Sequence, residues 1–191
     1  MLNYEYIESR ASELIQYFNS NQEINVIHYA TFDELLADAL FLTGEKQNFD
    51  NQLHAFVSFW KKDYSFFENI LIDKELTNRD IEFIFTSFMS EVKEFEFRQI
   101  SDLEFYKEIN IILPAIKKAI LDNHAKMQET VDINEWGIFL NNKRINDVEN
   151  YILPIEGTIT NACFLSSVWN NIKIFAETSS QYLYFSWGTG A

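Results

Sequence analysis

The chain has 191 residues, 47% of them apolar and 16% aromatic, so it can bury a sizeable core and wholesale disorder is excluded. Its formal net charge of −14 excludes nucleic acid or an anionic membrane as a main partner, because such a field repels phosphate and speeds encounter with a basic protein. One cysteine, Cys163, cannot close an internal disulfide. There is no run of about 18 apolar residues and no secretory leader in MLNYEYIESR, so the expected compartment is the cytoplasm.

The acidity is uneven. Residues 1–45 hold eight acids against one base, Arg10. A helix is expected over 3–19, burying Tyr4, Ile7, Ala11, Leu14, Ile15 and Phe18 and leaving Glu5, Glu8 and Glu13 off the stripe. Residues 24–29 read as extended chain or loop. Thr31-Phe-Asp-Glu34 has the form of a capping box and predicts a helix to about Thr43, ended by Gly44 in the left-handed C′ position. In that helix Glu34 and Asp38 form a like-charged i,i+4 pair, the pattern of a plain solvated face or of a place that awaits a partner's Arg or Lys. A helix over about 51–61 follows, and a box at Ser65–Glu68 predicts another to about Lys74.

Residues 77–99 give the clearest helix. Thr77 and Asp80 cap it, and Ile81, Ile84, Phe85, Phe88, Val92 and Phe95 recur at spacings of three and four. Phe83 and Phe97 fall on the opposite side, near Ser90, where they pack on a second layer or face a partner. Ser101 and Glu104 cap a further helix that meets Pro114 and runs to about Met127.

Beyond residue 130 the texture changes. Trp136–Leu140 and Lys143–Ile145 around Asn141-Asn142 predict a hairpin. Asp147–Ile152 predicts one helical turn, and Thr160 a helix to about Asn170. Residues 172–176 and 182–186 predict the best strand pair in the chain. The expected fold class is α+β but predominantly α-helical. It comprises an acidic helical bundle over 1–130 and an α+β portion over 131–191, with a small antiparallel β element, packed on it or continuous with it.

No catalytic motif appears. His28, His54 and His124 have no metal-ligand neighbours at useful spacing, and the apolar setting of Cys163 raises its pKa and quiets it. Glu91 and Glu94 share a helix face with Lys93 and Arg98 close by, the pattern of a solvated surface. Lys61-Lys62 and Lys117-Lys118 are too short for a nucleic-acid stripe. No cofactor or metal is expected, and no enzymatic activity.

The C-terminal stretch Trp169-Asn-Asn-Ile-Lys-Ile-Phe-Ala-Glu-Thr178, through Tyr182-Leu-Tyr-Phe-Ser-Trp-Gly-Thr189, resembles the closing hairpin of some bacterial toxin-immunity proteins. The likeness covers about 20 residues and has no diagnostic motif. It implies an immunity or inhibitor protein that binds a cognate, basic toxin domain and covers its active site. From charge and exposure, the expected contact residues are Glu5, Glu8, Asp33, Glu34, Asp38, Phe83, Glu94 and Phe97. An acidic nucleic-acid mimic, an enzyme with a carboxylate or His site, and a plain interaction module remain as alternatives.

Overall fold

The computed structural model describes residues 2–31, 38–67, 77–127, 136–168 and 170–188. Its centre is one antiparallel sheet, which corrects the expectation of a mainly helical protein with a small β element. The strands are β1 (Asn25–Ala30), β2 (Ala39–Glu45), β3 (Arg98–Ile100), β4 (Gly137–Leu140), β5 (Lys143–Arg144), β6 (Asn161–Val168), β7 (Asn171–Glu177) and β8 (Gln181–Gly188). They lie in the order β3-β6-β7-β8-β2-β1-β4-β5. Strands from both sides of the expected boundary near residue 130 pair directly, β1 with β4 and β2 with β8.

Helices cover both faces. On one lie α1 (Tyr4–Ser9), α2 (Ala11–Asn19), α3 (Gln52–Phe67) and α4 (Asn78–Glu94). On the other lie α5 (Asp102–Met127) and the segment from Val148 to Ile159. Successive strand residues therefore enter different cores. Leu40 and Leu42 of β2, Phe175 of β7 and Tyr182 and Tyr184 of β8 pack against α1–α4. Ala39 and Phe41, Ile174 and Ala176, and Leu183 and Phe185 pack against α5.

This double cover explains two errors. The expected helix over 31–43 is replaced, where the chain is described, by β2; residues 32–37, with Asp33 and Glu34, lie outside the described residues. The expected helix over 160–170 is β6. A strand buried on both faces has no polar–apolar alternation and reads as a continuous apolar run, which periodicity cannot separate from a buried helix. In β2, the first six of seven residues are buried.

Other expectations hold in detail. Thr77 Oγ1 accepts from the Asp80 N–H at 3.3 Å, and Asp80 returns the bond to the Thr77 N–H at 3.0 Å, so α4 opens with a capping box. Ser101 and Glu104 do the same for α5, and Pro114 sits inside that helix on its exposed side. Asn141 and Asn142 take φ of 49° and 64°, the left-handed pair that a tight hairpin turn requires. The helix expected over 3–19 is broken at Arg10, and the one expected over 51–61 extends to Phe67, so Ser65 lies inside α3. Residues 68–74 lie outside the described residues. The edge strands β3 and β5 are short and carry Arg98, Lys143 and Arg144, which blunts them against further pairing.

Gly44 also changes role. It is a strand residue of β2, and a Cβ there would meet the Phe49 ring at 2.7 Å. Phe49 is itself held by the rings of His54, Phe59 and Tyr182 and cannot swing away cheaply. Gly44→Ala is expected to destabilise the fold by about 1–3 kcal/mol in a denaturant titration. A neutral or stabilising result would show that the ring yields.

Candidate functional site

Two features qualify as sites: an outward helical face and a buried ionic cluster. The face belongs to the layer α1, α2 and α4, whose members pack on one another. Phe83 on α4 is 58% exposed, Ile15 on α2 47% and Tyr6 on α1 38%. The exposed acids Glu5, Glu8, Glu82 and Glu94 are carried on α1 and α4. Glu8 accepts a hydrogen bond from the Tyr4 hydroxyl; among the described residues no cation pairs with Glu5, Glu82 or Glu94.

Of the eight expected contact residues, the structure places Glu5, Glu8, Phe83 and Glu94 on this exposed layer. Asp33 and Glu34 lie outside the described residues. Asp38 is not on a helix. Its Oδ2 lies 2.8 Å from His28 Nε2 and its Oδ1 accepts from the Thr31 N–H, so it closes the approach to β2. Phe97 is a correction. α4 stops at Glu94, Phe97 takes φ of 48°, and its ring packs into the core 6.3 Å from Phe56 and 5.9 Å from Phe95. The chain turns inward there, so the line of Phe83 and Phe97 expected from helical spacing does not exist.

The ionic cluster joins four elements, β7, β8, α3 and α4. β7 sends Lys173 toward α3 and α4, where its ammonium donates to Asp63 Oδ2 at 2.9 Å and to Glu91 Oε1 at 2.6 Å. The Tyr184 hydroxyl donates to the same Asp63 oxygen at 3.1 Å, and the Trp60 indole N–H donates to Glu91 Oε2 at 2.7 Å. Asp63 is 1% exposed, and its Oδ1 has no hydrogen-bond partner. Burial pushes the Asp63 carboxyl up, against the pull of Lys173. Burial also pushes Lys173 down, but Asp63 and Glu91 together outweigh it and hold the ammonium above its ordinary value. Glu91 is thus paired across the core, not with Lys93, and Arg98 approaches Glu96 and Glu104 instead.

Sequence reasoning missed this cluster. One signal was available: Lys173 sits in Asn-Ile-Lys-Ile-Phe-Ala-Glu, a strand apolar at both parities, where a lysine must point into one core or the other and find carboxylates there. Asp63 gave no such signal, because its i−3 neighbour Trp60 is the only hint of its face. The cluster ties β7 and β8 to α3 and α4.

The remaining chemistry-bearing groups are quiet. His54 stacks on Tyr17 with centroids 4.4 Å apart. Its Nδ1 lies 3.2 Å from both the Asp50 N–H nitrogen and the Asp50 carboxylate, and its Nε2 lies 2.8 Å from Ser20 Oγ. Burial lowers its pKa, which keeps it neutral. Cys163 is buried, and burial pushes its thiol up to about 12. Among the described residues no group of three or more His, Cys, Asp or Glu is placed to hold a metal. Cavities among the described residues include a groove of about 410 Å³ between α5 and residues 151–155, floored by Tyr29, and a smaller polar one of about 150 Å³ between α3 and the chain leaving α2.

No family model, no curated protein and no solved structure matches this chain. Among the described residues no helix is long and apolar enough to cross a membrane.

Proposed function

We propose that this chain is an inhibitor of the immunity type, which binds a basic toxin domain of its own bacterium in the cytoplasm and covers the toxin's active site without chemistry of its own. The observation that carries this reading is the outward face of α1, α2 and α4. Phe83, Ile15 and Tyr6 stand exposed on it, and α1 and α4 carry carboxylates that lack cationic partners within the described chain. Exposed aromatics supply anchors, and surrounding charge supplies steering and partner choice. The net charge of −14 and the sequence likeness of the last hairpin point the same way.

The test begins with tagged protein co-expressed with the neighbouring open reading frame. A stoichiometric basic partner whose toxicity vanishes on co-expression is the expected result. Glu5→Lys, Glu8→Lys and Glu94→Lys combined should then slow association about tenfold or more at low salt, since steering by such fields changes on-rates by ~10–10³. Phe83→Ala should raise the dissociation rate. A folded quadruple variant that binds and protects unchanged would remove this face from the reading. A chain that captures no partner and retains a small molecule through purification would move the assignment to an enzyme.

A further inference from the structure

The smaller cavity is anomalous for so acidic a protein. It measures about 150 Å³ and is lined by Ser20, Asn21, Gln22, Ile24, Ser58, Lys61, Lys62 and Ser65. Two lysines meet there, and among the described residues no carboxylate contributes to the wall. The volume is far above the ~10–15 Å³ that admits one water.

Three details give the cavity a chemical sense. Lys61 Nζ donates to the Phe18 and Ser20 carbonyls at 2.9 and 2.8 Å, so the negative end of α2 is already answered by a cation. Lys62 is half-buried yet makes no ion pair among the described residues, although the chain holds 29 acids. Ser58 is 3% exposed, and its hydroxyl has no hydrogen-bond partner. A buried hydroxyl left without a partner is costly, and natural structures normally supply one. Lys62 and the buried Ser58 line one cavity together with Asn21. An acceptor-rich, negatively charged group would satisfy both donors at once.

We propose that this cavity binds a single tetrahedral oxyanion, the phosphate group of a small ligand or free inorganic phosphate. Lys62 supplies the charge-assisted bond, Ser58 a buried hydroxyl donor, and Lys61 the second positive charge. The cavity holds one phosphate with a little water and no nucleoside, so any larger phosphorylated molecule extends outward past Asn21. This site is separate from the outward face of α1, α2 and α4, and the failure of either leaves the other standing.

The test is isothermal titration of the full chain with inorganic phosphate, and separately with adenosine monophosphate, at constant ionic strength set by chloride. One saturable site per chain is expected. Lys62→Met should weaken it about tenfold or more, the loss of one charge-assisted hydrogen bond. Ser58→Ala should weaken it by a smaller factor without lowering Tm, because the hydroxyl bonds nothing inside the fold. Equal affinity for both probes assigns the site to the phosphoryl group of a metabolite. Phosphate binding with the nucleotide excluded assigns it to the free ion. Absence of saturable binding by either probe in the millimolar range overturns the proposal. So does an affinity that the folded Lys62→Met variant leaves unchanged.

Discussion

Replacing Lys173 with Met is expected to destabilise the protein by about 3–5 kcal/mol, the cost of leaving a buried charge without its partner. The substitution keeps the length of the side chain and removes the ammonium that Asp63 and Glu91 share. Asp63 is 1% exposed and cannot turn to water, so it keeps only the Tyr184 and Ser186 hydroxyls. It answers by taking up a proton, and the deficit should therefore shrink as pH is lowered. In the intact protein the signs are fixed by the shifts. Lys173 is raised above its ordinary 10.5, so its contribution is complete below that pH and is lost as pH rises through the folded value. Tyr184 is held well above its ordinary 10.0 by burial, so unfolding releases its proton and is favoured by alkali in the same range. Asp63 is raised as well, so acid titration of this one carboxyl favours the fold. Denaturant titrations across pH check all of this. The double variant Asp63→Asn with Lys173→Met should lose less than the sum of the two single losses, since each removes the other's orphan. Additivity would show that the ion pair contributes nothing beyond its parts.

How far the sequence foretold this arrangement depends on the element. Both capping boxes, at Thr77 and Ser101, and the Asn141-Asn142 turn were legible, because each is a local device whose residues satisfy backbone groups within four positions. The β7–β8 hairpin was legible because its strands are neighbours in sequence. β2 and β6 were not. Each pairs with a neighbour in sequence, β2 with β1 and β6 with β7, but also with a strand far along the chain, β8 or β3, and each carries an apolar run that faces both cores. Nothing local tells Ala-Leu-Phe-Leu from a buried helix when the pattern carries no period. The candidate face was half legible. Glu5, Glu8, Phe83 and Glu94 are exposed as helical spacing predicts, whereas Phe97 follows a helix end that spacing cannot see.

Phe56→Ala should cost about 3–5 kcal/mol, and Phe83→Ala on the next helix should stay within about ±0.5 kcal/mol. Phe56 is fully buried in α3, and its ring lies 5.6 Å from Phe175 of the sheet and 5.9 Å from Phe88 of α4. It also meets Phe95 and Phe97 where the chain leaves α4. Removing it opens a cavity walled by four rings on three elements, which cannot collapse together without moving the sheet away from the helices. Phe97→Ala should also destabilise, though less, because its ring is only partly buried. Phe83 belongs to the same helix as Phe88 but is 58% exposed, so its loss removes no core contact. The contrast separates two roles that the sequence leaves superposed in one phenylalanine-rich stretch. Where thermal unfolding shows Phe83→Ala to be silent and binding shows it to be costly, Phe83 serves a partner. Where thermal unfolding shows it to be costly, Phe83 serves the fold, and the outward face loses its anchor.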